Sequence, residues 1–338
     1  MAQISVGIDI GSKNVKVVCV EPLQEGYRLV AYGFYSYRGD AGRLRKVFRH
    51  HPIRSRDIRI NIEDPSLKIR RVDLPPIPDS EWDRAVPWAV KDVIDGEVED
   101  FVFRWAKIDS QDVRIAGKVS LMVFAIRRSA AKNRIRRVRE SGLPSPQVVE
   151  PDVGALASIF DFCRGAQRDR YEVLMDVGNH LSFFVVMGKG GMIYSRPLSH
   201  CADEDLNRQL ERDLGLPAEK AIEGKQQYMK EGTFSEDFAL DGRLKNTISH
   251  FYSRMAIEIQ RSVDGFALLF EHRPIDHIYL CGGGAYYRGL IDYLTSTLGI
   301  PVSLFDPFQK IDTESFPGDA LASRKALFAV ACGLAVDG

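Results

Sequence analysis

Two segments of the chain follow the same plan, in which a strand-like apolar run ends at an aspartate. VGIDIGSKNVKVV carries Asp9 two residues before Gly11, and VLMDVGNHLSFFVV carries Asp176 two residues before Gly178. A polar turn and a second apolar run follow in both segments, which predicts a β-hairpin each time. A third strand-like segment completes each unit. The sequence therefore predicts two similar α/β domains, each contributing one Asp-containing turn to a cleft.

The turn after Asp9 has the composition of a phosphate-binding loop. Gly11, Ser12 and Lys13 stand where backbone N–H groups face outward. Such a turn holds a phosphate while a neighbouring carboxylate reaches a magnesium ion through water. The alternative is that Asp9 only hydrogen-bonds its own turn, as short D-x-G segments often do. The third strand of this first unit is predicted at residues 27–37.

A glycine-rich strand-to-helix turn lies nearer the C-terminus. HIYLCGGGAYYRGLIDYLTSTLGIPVSLF predicts a strand, a turn, an amphipathic helix that stops at Gly299, and another strand after Pro301. The turn consists of Gly282, Gly283 and Gly284, which let a ligand approach the backbone ahead of a helix N-terminus that favours anions. Such a turn alone is weak evidence, but its position after two Asp-containing turns strengthens it.

The composition limits the partners and the compartment. The 338 residues are 45% hydrophobic, enough for one large core or two or three smaller ones, and 46 basic residues balance 46 acidic ones. This balance gives no overall attraction to nucleic acid or to an anionic membrane. Five dispersed cysteines without a C-x-x-C pair indicate structural thiols in a reducing compartment. We expect a cytoplasmic protein without a leader or a membrane anchor of its own.

Three motifs in this order resemble those of the actin-like ATPase superfamily, which includes sugar kinases, DnaK-type chaperones, MreB, FtsA and PilM. DIGSKN is similar to the first phosphate motif, DVGNHLS to the second and YLCGGGAYYRGL to the adenosine motif. The resemblance spans almost the entire chain. It implies an α/β fold class, namely a duplicated actin-like (ribonuclease H-like) fold with two lobes around a nucleotide cleft.

The resemblance implies ATP and Mg²⁺ as cofactors, with Asp9 and Asp176 at the metal. The expected cofactor-binding residues are Asp9, Gly11, Ser12, Lys13, Lys16, Asp176, Gly178, Asn179, Lys225, Gly282, Gly283 and Gly284. Hydrolysis requires a water held in line with the γ-phosphate, for which the segment VVEPDVGAL offers Glu150 and Asp152 as catalytic candidates. An acid at this place suits equally well the cap of the helix that follows.

The chain departs from the family pattern in its second half. The second phosphate turn has Asn179, His180 and Leu181 where relatives offer Thr or Ser hydroxyls. Cys201 and Ala202 stand near the place of a helix-opening glycine pair, and the segment AIEGK keeps Lys225 but lacks the usual glutamate. The second phosphate motif is therefore predicted to be degenerate, and at most a slow ATPase is expected.

The segment between the two repeats predicts a small α+β subdomain of βαββα type. It contains the strand IRINI, the turn EDPS, a strand ending in LPPIP, a helix with Ser80 as N-cap and an acidic first turn, the strands FVFRWAKI and VSLMVFAI, and a basic helix. It resembles the extra subdomain of PilM and FtsA, and its passage into VVEP favours PilM. The predicted divisions are 1–57 (first lobe), 58–146 (inserted subdomain), 147–170 (crossover), 171–314 (second lobe) and 315–338 (helix returning to the first lobe).

The basic helix permits two interpretations. Seven basic side chains suit anionic lipid or an acidic partner, namely Arg127, Arg128, Lys132, Arg134, Arg136, Arg137 and Arg139. Ala131, Ile135 and Val138, however, follow helical spacing and predict one buried face, with the charges on an ordinary solvated surface. We favour the second interpretation, and no aromatic residues interleave with the charges as single-stranded nucleic acid would require.

The resemblance implies a PilM-like scaffold of a type IV pilus inner-membrane platform, cytoplasmic and peripheral to the membrane. Its expected partner is a PilN-like inner-membrane protein, bound through a short cytoplasmic N-terminal tail. Other platform proteins, the assembly ATPase and a second copy of the chain are further candidates. The apolar residues proposed for the tail are Trp82, Val86, Trp88, Val90 and Val93, about half of which must fill the subdomain core.

Three alternatives stay open. The first is a nucleotide-free pseudo-ATPase scaffold whose cleft is closed by His180 and the segment CADED, residues 201–205. The second is an FtsA-like filament protein tethered to the membrane, which requires a linker and an amphipathic helix where this chain has KALFAVACGLAVDG, typical of a core helix. The third is a small-molecule phosphotransferase, which requires a substrate-binding insertion that the sequence does not show.

Overall fold

A computed structural model describes residues 4–36, 57–108, 117–165, 169–235 and 237–336. Within them the strands are β1 Ser5–Ile10, β2 Asn14–Pro22, β3 Tyr27–Ser36, β4 Asp57–Ile62, β5 Lys68–Leu74, β6 Phe101–Lys107, β7 Val119–Arg127, β8 Val148–Pro151, β9 Glu172–Val177, β10 Ser182–Gly188, β11 Gly191–Leu198, β12 His277–Cys281, β13 Val302–Leu304 and β14 Ile311–Asp312. The helices are α1 Trp82–Ala89, α2 Arg128–Glu140, α3 Asp152–Arg164, α4 Asp203–Leu214, α5 Ala218–Glu231, α6 Phe238–Leu269, α7 Leu290–Leu298, α8 Asp319–Ala322 and α9 Ala329–Val336.

The chain divides into two compact units. The first consists of Met1–Arg170, Val185–Ser195 and Asp306–Gly338, and the second of Tyr171–Phe184 and Arg196–Phe305. In the described part of the chain, no helix combines the length and the apolar character that crossing a bilayer requires.

The first sheet has the strand order β14-β3-β2-β1-β4-β8. Strand β1 pairs antiparallel with β2 and parallel with β4, and all six of its residues are buried because it lies in the interior of this sheet. The predicted hairpin and third strand are confirmed as β1, β2 and β3. Tyr37, the last residue predicted in the third strand, lies outside the described residues.

The second sheet repeats the pattern of the first. Its order is β11-β10-β9-β12-β13, which matches β3-β2-β1-β4-β8 strand for strand. Strand β12 runs parallel to both β9 and β13, as β4 runs parallel to β1 and β8. The duplication predicted from the two Asp-Gly segments is therefore confirmed.

A third, antiparallel sheet with the order β5-β7-β6 lies in the first unit. Trp82 and Val86 of α1 pack with residues of this sheet in one apolar cluster, and β5-α1-β6-β7-α2 has the predicted βαββα order.

The boundary predicted at residue 58 assigns β4 to this subdomain, but β4 pairs with β1 of the first sheet. The sequence did not reveal this pairing because the alternating isoleucines of β4 suit either sheet. The prediction of Ser80 as a cap is wrong: α1 follows Glu81 and has no side-chain cap.

Close approaches of backbone join β1, α9 and α3 in the first unit. A Cβ atom on Gly7 would collide with the carbonyl oxygen of Ala331, and one on Gly333 with the carbonyl oxygen of Ala155. Glycine at these positions therefore allows α9 to lie directly against both β1 and α3. All eight residues of α9 are buried.

We expect Gly333→Ala to lower the free energy of unfolding by about 3 kcal/mol, because a methyl group there must displace the backbone of α3. The matched control is Gly242→Ala in α6, where an added Cβ meets nothing within 4 Å. That change should raise stability by about 0.5–1 kcal/mol, since alanine is the better helix former. Chemical denaturation of both variants tests the pair, and equal effects would contradict this account of the α9 contact.

Candidate functional site

Three parallel strands end together at one edge of the first sheet. Asp9 stands near the end of β1, Asn61 near the end of β4, and Asp152 directly follows β8. The register places Ile8 beside Ile60 and Asn61 beside Glu150. The carboxyl ends of parallel strands are the usual ligand sites of α/β sheets, so these side chains form the candidate site of the first unit.

Asn61 is the centre of this group. It is fully buried, and its Nδ2 donates to Asp9 Oδ1 at 3.1 Å and to Asp152 Oδ1 at 2.9 Å. Its Oδ1 accepts from the backbone N–H of Ile10 at 2.8 Å. The amide thus holds two carboxylates and the end of β1 in one arrangement.

Two cations complete the group. Lys16, directly across the hairpin from Asp9, places Nζ 2.8 Å from Asp9 Oδ2. Arg134 of α2 donates from Nη2 to the carbonyl of Ile10 and to Asn61 Oδ1, both at 2.7 Å, and from Nε to the carbonyl of Asn61 at 2.9 Å. Two carboxylates therefore lie with two cations around one amide. We name these residues the Asn61 cluster: Asp9, Lys16, Asn61, Arg134 and Asp152.

Sequence reasoning missed Asn61 and misassigned Arg134. The prediction of an ordinary solvated helix surface is wrong for Arg134, which is half-buried and reaches the Asp9 turn. The one signal available for Asn61 is a polar residue inside the isoleucine-rich strand IRINI, where a core position was expected. The predicted buried face of the helix is confirmed at Val138, which packs in the core of the first sheet.

The other residues predicted in this half differ in their surroundings. The N–H of Gly11 donates to the carbonyl of Asn14 at 2.9 Å and closes the turn. Ser12 is exposed and Lys13 half-buried on that turn. The carboxylate of Glu150 lies against Gly154 in the first turn of α3. Asp152 is the catalytic candidate that Asn61 connects to Asp9.

The second turn is engaged by residues of the CADED segment. Asn179 Nδ2 donates to Glu204 Oε1 at 2.8 Å, and His180 Nδ1 lies 3.0 Å from Glu204 Oε2. The backbone N–H groups of Asp203 and Glu204 donate to the carbonyls of Gly178 and Asn179, each at 3.0 Å. The N-terminus of α4 therefore binds the carbonyl groups of the turn after Asp176, and its acidic side chains bind the side chains of that turn.

Asp203 also engages the lysine predicted to bind nucleotide. Lys225 forms an ion pair with Asp203 and its side chain is only 7% exposed, and the hydroxyl of Tyr287 donates to the same carboxylate oxygen. Asn207 Nδ2 donates to its other oxygen at 3.0 Å. Burial raises the pKa of Tyr287 well above its ordinary value, and the Asp203 charge raises it further. Tyr287 is therefore a neutral donor at physiological pH.

The three glycines of the adenosine motif have different surroundings. Gly282 has a φ of +81°, and a Cβ there would collide with Asp176 Oδ1, while a Cβ on Gly284 would collide with Val177. Gly283 has nothing within 4 Å of an added Cβ. Gly282 and Gly284 are thus required for packing against β9, and Gly283 is the glycine that leaves space open.

The equivalent positions of the two repeats differ in chemistry. Cys281 lies opposite Asp176 in the pairing of β12 with β9. In the first repeat, continuing the pairing of Ile8 with Ile60 by one residue places Asn61 opposite Asp9. The Sγ of Cys281 is 3.8 Å from Asp176 Oδ1, a weak contact where the first repeat has an amide. Helix α4 adds three acids in its first turn, Asp203, Glu204 and Asp205. The first turn is balanced in charge, whereas the second is acidic.

The first turn fits magnesium and phosphate better than the second. Among the described residues, no three His, Cys, Asp or Glu side chains converge on a possible metal position. Magnesium commonly binds through one or two carboxylates together with the phosphates of its ligand, which suits Asp9 with Lys16 nearby. The acids of α4 oppose a triphosphate at the second turn, and Lys225 is already paired with Asp203.

Comparison with protein families matches residues 7–338 to the family of type IV pilus assembly protein PilM. The chain belongs to the PilM family. A solved structure described as the PilM–PilN type IV pilus biogenesis complex is similar over 99% of both chains, with 23% identity and a TM-score of 0.84. The ethanolamine utilization protein EutJ from Carboxydothermus hydrogenoformans has 14% identity and a TM-score of 0.53, over 99% of this chain and 90% of its own.

Membership of the PilM family confirms the resemblance inferred from the three motifs. The fold is the duplicated actin-like α/β fold, as the matching strand orders of the two sheets also indicate. The order of the three motifs thus identified the superfamily and the fold, and the segment between the two repeats identified the family.

We expect Asn61→Ala to lower the free energy of unfolding by about 3 kcal/mol, because two carboxylates and a backbone N–H lose their buried partner. Asn133→Ala, an exposed position of α2, should change it by less than about 0.5 kcal/mol. Urea denaturation followed by circular dichroism measures both. Similar values for the two variants would contradict the central role of Asn61.

Proposed function

We propose that the chain is the PilM-family scaffold of a type IV pilus inner-membrane platform. In this proposal it is peripheral to the membrane and holds the short cytoplasmic N-terminal tail of a PilN-like protein. It binds Mg²⁺–ATP at the turn after Asp9. Family membership supports the role in pilus assembly, and the PilM–PilN complex named for the similar structure supports the partner.

The three-stranded sheet and α1 offer the features that capture of a peptide tail needs. Trp82, Val86 and Val90 are buried in the subdomain core, Val93 is half-buried, and Trp88 is 66% exposed. Strands β5 and β6 are the outer strands of their sheet, and an extended peptide binds by adding to such an edge. Trp88 is thus the candidate anchor among the five predicted residues.

The acidic start of α1 suits the tail of a membrane protein. Asp79, Glu81 and Asp83, at and before the first turn of α1, are exposed. Cytoplasmic segments that flank membrane-spanning helices carry an excess of Lys and Arg. A basic tail therefore complements the acidic start of α1, with the indole of Trp88 supplying apolar contact.

We expect Trp88→Ala to weaken binding of a synthetic PilN-tail peptide at least tenfold, since truncating a central aromatic anchor commonly costs more than about 1.4 kcal/mol. Stability should be unchanged, because the ring is largely exposed. Phe238→Ala is the control: its ring is 91% exposed on α6 of the second unit. Fluorescence anisotropy with the labelled peptide measures both, and equal affinities would remove Trp88 from the proposed groove.

One observation supports the nucleotide part of the proposal: the Asn61 cluster lies at the carboxyl ends of three parallel strands. Lys16 and N–H groups of the turn that the N–H of Gly11 closes would hold phosphate, and Asp9 would hold magnesium through water. Bound magnesium would neutralise phosphate charge. Asp152, oriented by Asn61, and Glu150 are the residues we propose for positioning a water, should hydrolysis occur.

The acidic second turn favours a second function, that of a scaffold that binds no nucleotide. Asp203 is engaged with Lys225, and Glu204 with the Asn179–His180 turn. These contacts leave the degenerate second motif few donors and an excess of negative charge. In a nucleotide-free scaffold of the same platform, the Asn61 cluster serves the fold alone.

Calorimetry with Mg²⁺–ATP distinguishes the two functions. The first expects a dissociation constant below about 1 mM for the wild type and at least tenfold weaker binding for Asp9→Ala. Asp292→Ala, an exposed acid in the first turn of α7, should bind as the wild type does. No heat of binding at millimolar ATP in the wild type would exclude the nucleotide part and favour the nucleotide-free scaffold.

A further inference from the structure

Helix α2 connects the small subdomain to the Asp9 turn. At its start, Arg128 Nη2 donates to the carbonyl of Phe101 in β6 at 3.0 Å, and Arg127 donates to the carbonyl of Asp95. Further along the helix, Arg134 binds the carbonyl of Ile10 and both oxygens of Asn61. A helix of 13 residues is about 20 Å long and moves as a rigid body, so both ends shift together.

We infer that Arg134 is a positioning residue that couples the tail-binding subdomain to the Asp9 turn. This inference rests on the proposed function and describes how its two ligands, the tail and the nucleotide, influence one another. A tail bound beside α1 biases the position of α2, and α2 sets the arrangement of the Asn61 cluster through Arg134. By linkage, a nucleotide at Asp9 then changes the affinity for the tail by the same factor.

The geometry of the guanidinium supports coupling of this kind. Three of its hydrogen bonds, of 2.7 to 2.9 Å, reach acceptors on Ile10 and Asn61. N–H···O hydrogen bonds in proteins span about 2.7 to 3.2 Å, so a shift of α2 by about 1 Å breaks this set. Asn61 in turn donates to Asp9 and Asp152, which carries the displacement to both carboxylates.

Arginine is required by this arrangement because its planar fork presents several donors in fixed directions. Lysine has the same charge, but its three N–H donors share one nitrogen on a flexible stem and do not reproduce the fixed directions of the guanidinium fork. Arg136, two residues further along α2, is a suitable control, since its side chain is 68% exposed and lies 3.9 Å from Glu140. A purely stabilising role for Arg134 predicts lower stability and no effect on linkage.

The experiment measures the affinity of the labelled PilN-tail peptide with and without saturating Mg²⁺–ATP. It uses the wild type, Arg134→Lys, Arg134→Met and Arg136→Met. We expect nucleotide to change the wild-type affinity at least about fivefold, the low end of ordinary allosteric coupling. Both Arg134 variants should reduce this ratio to within about twofold of unity at nucleotide concentrations that calorimetry shows to saturate each variant, and Arg136→Met should keep the wild-type ratio.

Two results overturn the inference while leaving the proposed function intact. One is a wild type that binds both ligands with no effect of either on the other. The second is an Arg134→Lys variant with the wild-type ratio, which also decides the question should Arg134→Met fail to fold. A wild type that binds neither ligand overturns the proposed function as well.

A readout without the tail covers the case in which only nucleotide binds. Hydrogen exchange in residues 82–107 should change when ATP is added to the wild type and to Arg136→Met. It should not change in Arg134→Lys, because the link from the Asp9 turn to the subdomain is broken. The same change in all three proteins would overturn the inference.

Discussion

The hydrogen bonds of Asn61 are the constraint on which the site of the first unit depends. Two carboxylates that approach one buried point repel each other unless donors are fixed between them. The amide of Asn61 supplies those donors, and Lys16 and Arg134 supply the balancing charge. Because the amide also binds the end of β1, the turn that follows is held in one arrangement. Charge balance and backbone position at this edge are therefore set together.

The sequence was informative where order along the chain matters. Apolar runs around the paired Asp-Gly turns predicted both hairpins, the order of three motifs predicted the superfamily, and the segment between the repeats predicted the family. It was uninformative about contacts between distant segments. Asn61 and Arg134 are 73 positions apart in the sequence, and the residues around either one do not indicate that the two are in contact. Strand β4 was assigned to the small subdomain because the alternation of apolar residues along a strand does not indicate the sheet to which the strand belongs.

The two repeats keep one architecture and differ in chemistry. The shared strand order gives each an aspartate at the end of a central strand. In the first repeat, neighbouring cations and an amide leave that aspartate in a neutral group. In the second, the first turn of α4 brings acids that engage Lys225, Asn179 and His180. Duplication of a backbone thus preserved the position of a turn without preserving its electrostatics.

The contact of α9 with β1 has a consequence for the synthesis of the protein. The buried face of β1 at Gly7 is covered by Ala331, and Tyr27 donates to the carbonyl of Val336 at 3.0 Å. Translation at roughly 5–20 residues per second separates the emergence of these partners by tens of seconds. During that interval the N-terminal hairpin exposes apolar surface on the ribosome. Strand β1 is synthesised long before the helix that covers it, so a nascent chain depends on chaperones or on temporary contacts of its own.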